Sequence, residues 1–212
     1  MSPNDLPILY ANDSCPYVFR ARIALAYAGI DVEHREVDLD NKPPALLQAS
    51  PKATVPVLIL SGGAVIDESW AIIRWAMRQD DPDNWCGDND AALELAEELA
   101  NLNDSEFGEP SMYYKFSSYY PDRDRLQDRS NCEPFLDGLE ARLATQAFMY
   151  GNALSAADVP VYPAVAGFAG IEPTWFADRF PNVNAWLKRV AASPHVQRVD
   201  FDHEPWRFEH TG

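Results

Sequence analysis

Ile8-Leu9-Tyr10 is an apolar run too short for a helix, and it breaks at once into Ala-Asn-Asp-Ser, so it reads as a buried strand entering a loop. Cys15-Pro16 then opens a helix, because Pro is best tolerated at the first helical position, and Phe19, Ile23 and Ala26 recur at helical spacing until Gly29 ends it. Residues 32–37 read as a second strand, and Asn41-Lys42-Pro43-Pro44 as a loop into a short helix. Val57-Leu58-Ile59-Leu60, Gly62-Gly63 and Ala64-Val65-Ile66 read as a hairpin whose glycines supply a positive φ. Ser69 is expected to cap a helix running to about Arg78. One crossover unit followed by a hairpin between helices is an α/β arrangement.

That order is a thioredoxin-like plan for residues 1–80. Residues 81–90, rich in Asp, Pro, Asn and Gly, read as a linker. Residues 91–212 read as an all-helical domain: one amphipathic helix over Ala91–Leu102, another over residues 132–143 with Phe135, Leu136, Leu139 and Leu143 on one face, and a third over residues 181–192. Ser155-Ala-Ala-Asp158, flanked by Leu154 and Val159, has the form of a capping box with its hydrophobic staple, although Pro160 should bend the helix that follows.

The formal charge is −16 and it is unevenly spread. Residues 1–80 carry seven Lys and Arg against ten Asp and Glu, and the remainder ten against twenty-three. Such a field argues against nucleic acid or an anionic membrane as partner and leaves the first domain the better place for a small anion. The apolar stretch at residues 159–171 is too short, and too broken by Pro160 and Pro163, to span a bilayer. Three cysteines at no metal-ligand spacing, with no secretory signal at the start, lead us to expect a cytoplasmic protein.

Cys15 is the candidate nucleophile. A helix N-terminus offers N–H groups and a positive dipole end that favour thiolate over thiol, and Arg20 and Arg22 should add charge of the same sign. A single Cys in an apolar pattern is otherwise a small buried hydrophobe; the Pro that follows it and the strand-to-helix junction favour the reactive reading. Residue 18 is Val, so no Cys-x-x-Cys pair exists and redox chemistry would need an external thiol. Cys86 and Cys132 read as inert. Pro56 marks either a strand start or a cis bond that turns the backbone of Val55 outward toward an extended ligand.

Cys15-Pro-Tyr-Val-Phe-Arg-Ala-Arg22, Asn41-Lys42-Pro43, Thr54-Val55-Pro56-Val57-Leu58 and Asp67-Glu68-Ser69, in this order, resemble the glutathione-binding domain of cytosolic glutathione transferases, closest to the cysteine-type omega class and its bacterial relatives. The Ser155–Asp158 box resembles that of the family's all-helical second domain. The resemblance implies glutathione as co-substrate, with Cys15 reacting with its sulfur. Lys42 would meet the glycyl carboxylate, Val55 before Pro56 would pair with the cysteinyl backbone, Glu68 and Ser69 would hold the γ-glutamyl end, and Tyr17 would shape the pocket. It further implies a small electrophilic or disulfide substrate and a homodimer. Tyr113, Phe116 and Tyr120, read as one helical face, are candidates to wall the second-substrate pocket, with Trp175, Trp206 and Phe208 as further candidates. Core or dimer interface is the competing assignment for these aromatics. Ser14 keeps open a hydroxyl-type conjugating enzyme, and a non-catalytic binding module is the other alternative. No metal is expected: His203 and His210 read as a solvated tail.

Overall fold

A computed structural model describes residues 6–206. Its contacts divide the chain into two compact units, one holding the chain up to Pro82 together with the segment from Pro194 onward, the other Asp83–Ser193.

In the first unit, β1 (Ile8–Ala11), α1 (Pro16–Tyr27) and β2 (Glu33–Glu36) make the crossover, with β1 and β2 parallel. After α2 (Pro44–Ala49), the strands β3 (Val57–Ile59) and β4 (Val65–Ile66) form the hairpin, and α3 (Ser69–Gln79) follows. β3 runs antiparallel to β1, which gives the sheet order β2-β1-β3-β4. The mixed sheet has a structural cause: a helix joins β1 to β2 and a tight turn joins β3 to β4, and these connections fix the two directions. One face of the sheet covers Tyr10, Val37, Leu46 and Val57, with Ile8, Val55, Ile59 and Trp206 around them. Ile72, Ile73 and Ala76 of α3 are wholly buried, as are Val18, Ala21 and Ala24 of α1, which packs against it. Each buried Val or Ile contributes about 1.5–3 kcal/mol. Gly29 ends α1 with φ +66°, a conformation in which a Cβ would be strained.

The second unit contains α4 (Ala91–Leu102), α5 (Gly108–Lys115), α6 (Arg125–Leu143), α7 (Tyr162–Ala169), α8 (Pro173–Arg179) and α9 (Pro181–Ala191). The short α10 (Pro194–Gln197) belongs with the first unit. α6 starts earlier than the sequence pattern predicts. The Asp124 side chain caps it by accepting from Leu126 N and Gln127 N at 2.9 and 3.2 Å, and Pro134 is tolerated inside it on an exposed position. The predicted box at Ser155 and Asp158 is present, but what it caps is a single 3-10 turn, Ala156–Asp158. Pro160 follows at once and the regular helix begins at Tyr162, so the proline separates turn and helix rather than bending one continuous element. No helix of the described residues is long and apolar enough to cross a membrane.

Candidate thiol site at the start of the first helix

Cys15 is the N-cap of α1, with extended backbone at φ −89° and ψ 118°. Its carbonyl accepts the N–H groups of Val18 and Phe19, both at 3.1 Å, and its own N–H donates to Asn12 O at 2.9 Å, so the residue is clamped from both sides. Pro16 occupies N1, where its missing N–H costs the helix nothing. The thiol is partly exposed and its Sγ lies 4.0 Å from the carbonyl oxygen of Val55. The Val55–Pro56 peptide bond is cis, the second of the two alternatives the sequence left open. Two residues 40 apart in sequence thus meet at the strand edge beside the helix start.

Of the other predicted residues of this unit, Glu68 and Ser69 stand at the start of α3 and Tyr17 is linked to them through Arg20. Ser69 is not the cap. It is the first residue of α3, Glu68 occupies the N-cap position, and the Ser69 hydroxyl accepts from Arg20 Nε and Nη2 at 3.0 and 2.8 Å. Arg20 is only 2% exposed and its guanidinium also lies 4.7 Å from the Tyr17 ring centroid, so a cation stands beneath the acidic turn. Glu68 is exposed and pairs with Lys52 at 2.5 Å, while Asp67 accepts from Ser50 Oγ at 2.9 Å. Lys52 is the residue that sequence reasoning missed here, together with the bond of Arg20 to Ser69. A turn of the form Asp-Glu-Ser before a helix calls for cations, yet nothing in the sequence says which ones reach it. Lys42 stands half-exposed in the loop before α2, and no carboxylate pairs with it among the described residues. Arg22, expected to add charge near the thiol, pairs with Asp13 at 2.7 Å.

Residues 14–79 match the family model for the N-terminal domain of glutathione S-transferase, and residues 92–189 match that for its C-terminal domain. The chain belongs to the glutathione S-transferase family. This transferase chain is similar to glutathione S-transferase 4 of Zea mays, 27% identical over 195 residues with 87% of each protein covered. It is also similar to probable elongation factor 1-gamma 1 of Arabidopsis thaliana, 26% identical over 194 residues that take in 85% of this chain and 45% of that longer protein. In fold it matches the solved glutathione transferase URE2P6 from Phanerochaete chrysosporium in complex with oxidized glutathione, with TM-score 0.82, 24% identity, and 94% of this chain and 96% of that one covered.

In the second unit of this transferase, the expected aromatic face does not form on one helix. α5 stops at Lys115, so Phe116 and Tyr120 lie beyond it, although the Tyr113 and Tyr120 rings still meet edge to face at 4.9 Å. Phe116 and Tyr120 are exposed, and Arg123 sits 3.6 Å from the Tyr113 ring centroid. Trp175 packs edge-on against Phe168 and Phe180, under Arg129 at 4.1 Å. The Cys132 thiol is fully buried and pushed up to about 12, first by burial and then by Asp128 and Glu133; Cys86 is buried too. Ser14 is exposed and its hydroxyl donates to Asn12 Oδ1 at 2.5 Å. Trp206 packs on Tyr10 and Arg35. His203 is no solvated residue, since its ring stacks on that of His34. Phe208 and His210 lie outside the described residues.

Proposed function

We infer that this glutathione transferase acts as a thiol transferase of the cysteine type, with glutathione as co-substrate. The observation that supports the reading most directly is the approach of Cys15 Sγ to the Val55 carbonyl, which brings the sulfur of the N-cap residue, although that side chain makes no cap hydrogen bond, to the edge where an extended peptide backbone can pair. The Cys15 thiolate attacks the glutathionyl sulfur of a mixed disulfide. A Cys15–glutathione disulfide forms, and the other thiolate leaves and takes up a proton. A second glutathione thiolate then attacks the glutathionyl sulfur of that intermediate, which releases oxidised glutathione and restores the Cys15 thiolate. Val55 would pair with the cysteinyl backbone, Lys42 with the glycyl carboxylate, and Glu68 and Ser69, backed by Arg20, with the γ-glutamyl end. Tyr17 would wall the groove. Tyr113, Phe116, Tyr120 and Trp175 stand as the proposed contacts for the second substrate. The reading carries with it a cytoplasmic homodimer.

Intact mass after incubation with oxidised glutathione tests it. The wild type should gain one glutathionyl group that dithiothreitol removes, and Cys15→Ser should gain none. An adduct of equal yield on Cys15→Ser refutes the mechanism. If Cys15→Ser instead raises aryl conjugation and Ser14→Ala abolishes it, a hydroxyl-type enzyme replaces this reading.

The similarity to an elongation-factor subunit favours a second reading, a binding module whose acidic helical part docks a basic protein. Absence of glutathione binding by calorimetry, together with a Cys15 that alkylates no faster than a small free thiol, would select it.

A further inference from the structure

The segment from Phe201 to Trp206 lies along β2. Trp206 N–H donates to Glu36 O at 3.0 Å, Pro205 bridges to Glu36, and Arg22 Nη2 donates to Phe201 O at 3.2 Å. These ties bring His203 onto His34, which sits with Glu36 on one face of β2 because residues two apart in a strand point the same way. The two imidazoles lie parallel, centroids 3.3 Å apart and 5° between planes. Asp13, in the loop after β1, faces both rings: His203 Nδ1 is 3.0 Å from Oδ1, and His34 Nε2 is 3.7 Å from the same oxygen. One ligand-type atom from each of Asp13, His34 and His203 lies within 4.8 Å of the others.

The geometry points to a binding site for a divalent transition-metal ion on Asp13, His34 and His203. Bonds of about 2.0–2.1 Å to a tetrahedral ion place its ligand atoms roughly 3.3 Å apart, and the two histidine nitrogens lie 3.0 and 3.7 Å from Asp13 Oδ1, on either side of that spacing. Two imidazoles and a carboxylate suit zinc, cobalt or nickel, whereas magnesium and calcium favour oxygen alone. A ring nitrogen that faces a carboxylate carries a hydrogen, and the ion takes that hydrogen's place. One ring must turn out of the stack for both lone pairs to converge. Glu36 Oε2, 3.1 Å from His34 Nε2, or a water fills the fourth position. Arg22 Nη1 holds Asp13 Oδ1 at 2.7 Å from outside, the kind of hydrogen bond that orients a ligating carboxylate. A cavity of about 180 Å³, lined by Arg22, Leu25, His34, Arg198, Phe201 and His203, gives an ion and its waters a way in.

The proposal does not rest on the Cys15 chemistry, although Asp13 lies two residues before Cys15. Tag-free, chelator-treated protein titrated with cobalt(II) tests it by visible absorption and by metal content after gel filtration. One ion per chain is expected, with the strong d–d bands of a four-coordinate nitrogen and oxygen site, displaced by zinc. His203→Ala, in the terminal segment where folding is least at risk, and His34→Gln should each weaken binding by at least about 100-fold. Failure of the wild type to retain cobalt or zinc at micromolar concentration overturns the proposal. So does undiminished affinity in His203→Ala. Neither result bears on the glutathionyl adduct at Cys15, so the two readings fail separately.

Discussion

Asp158→Ala should remove a large part of the stability of the second unit. The carboxylate is fully buried and accepts four hydrogen bonds, from Met149 N at 2.9 Å, Ser155 N at 2.9 Å, Ser155 Oγ at 3.0 Å and Trp186 Nε1 at 2.7 Å. The two donors of Ser155 belong to the cap, whose loss costs about 1 kcal/mol. The Met149 and Trp186 donors come from other segments and would be left buried without an acceptor, at about 1–3 kcal/mol each. The total is about 3–7 kcal/mol, a large part of the 5–15 kcal/mol typical of a folded domain. Asp158→Asn keeps one acceptor oxygen but turns an NH₂ group toward donors, so it should cost less than Ala and still more than about 1 kcal/mol. Burial pushes the Asp158 carboxyl above its ordinary 3.8, against the four donors that pull it down. An acid whose folded pKa is raised takes up a proton on folding, so this residue alone makes stability fall as pH rises from 3.8 to the folded value. Asn removes that slope. Urea unfolding followed by tryptophan fluorescence and circular dichroism at several pH values reads both effects. A loss under about 1 kcal/mol in Asp158→Ala would refute the reasoning, because it would mean that water or rearrangement satisfies all four donors.

Thiol labelling with a chromogenic disulfide at pH 8 should modify Cys15 alone in the folded protein, since Cys132 titrates at about 12 and Cys86 is buried. Two further thiols should react after denaturation, and a second fast-reacting thiol in the native state would contradict the burial described here. Ser69→Ala withdraws the acceptor of both Arg20 bonds and should lower stability by about 1.5–3 kcal/mol, the range for bonds from a charged donor. Thermal unfolding checks this. Retention on immobilised glutathione should fall in the same variant, and unchanged retention would remove Ser69 from the proposed contacts.

What the sequence made legible is local, and what it hid is tertiary. The stops and starts of α1 and α4 follow from Pro16, Gly29 and an amphipathic spacing, all read within one element. The capping box followed from four consecutive residues, yet the Trp186 N–H that shares its carboxylate lies 28 residues on, beyond any local pattern. Ser69 shows how a residue picked out in the sequence can take another local role in the fold. A hydroxyl before a helical run reads as a cap, but a buried Arg20 reaches it across 49 residues and takes the hydroxyl for itself. Arg22 likewise has a partner that its place along α1 does not announce, since the fold supplies a carboxylate in Asp13. The histidines make the argument most clearly. His34 in a strand and His203 near the chain end carry no shared spacing, and Asp13 stands 190 residues from His203. They become one cluster because the Trp206 N–H bond to Glu36 O holds the terminal segment beside β2, and backbone pairing of that kind leaves no mark in side-chain pattern. A candidate site built from such residues can be found only after the fold is known, whereas the Cys15 site, ordered along one crossover, could be proposed before it.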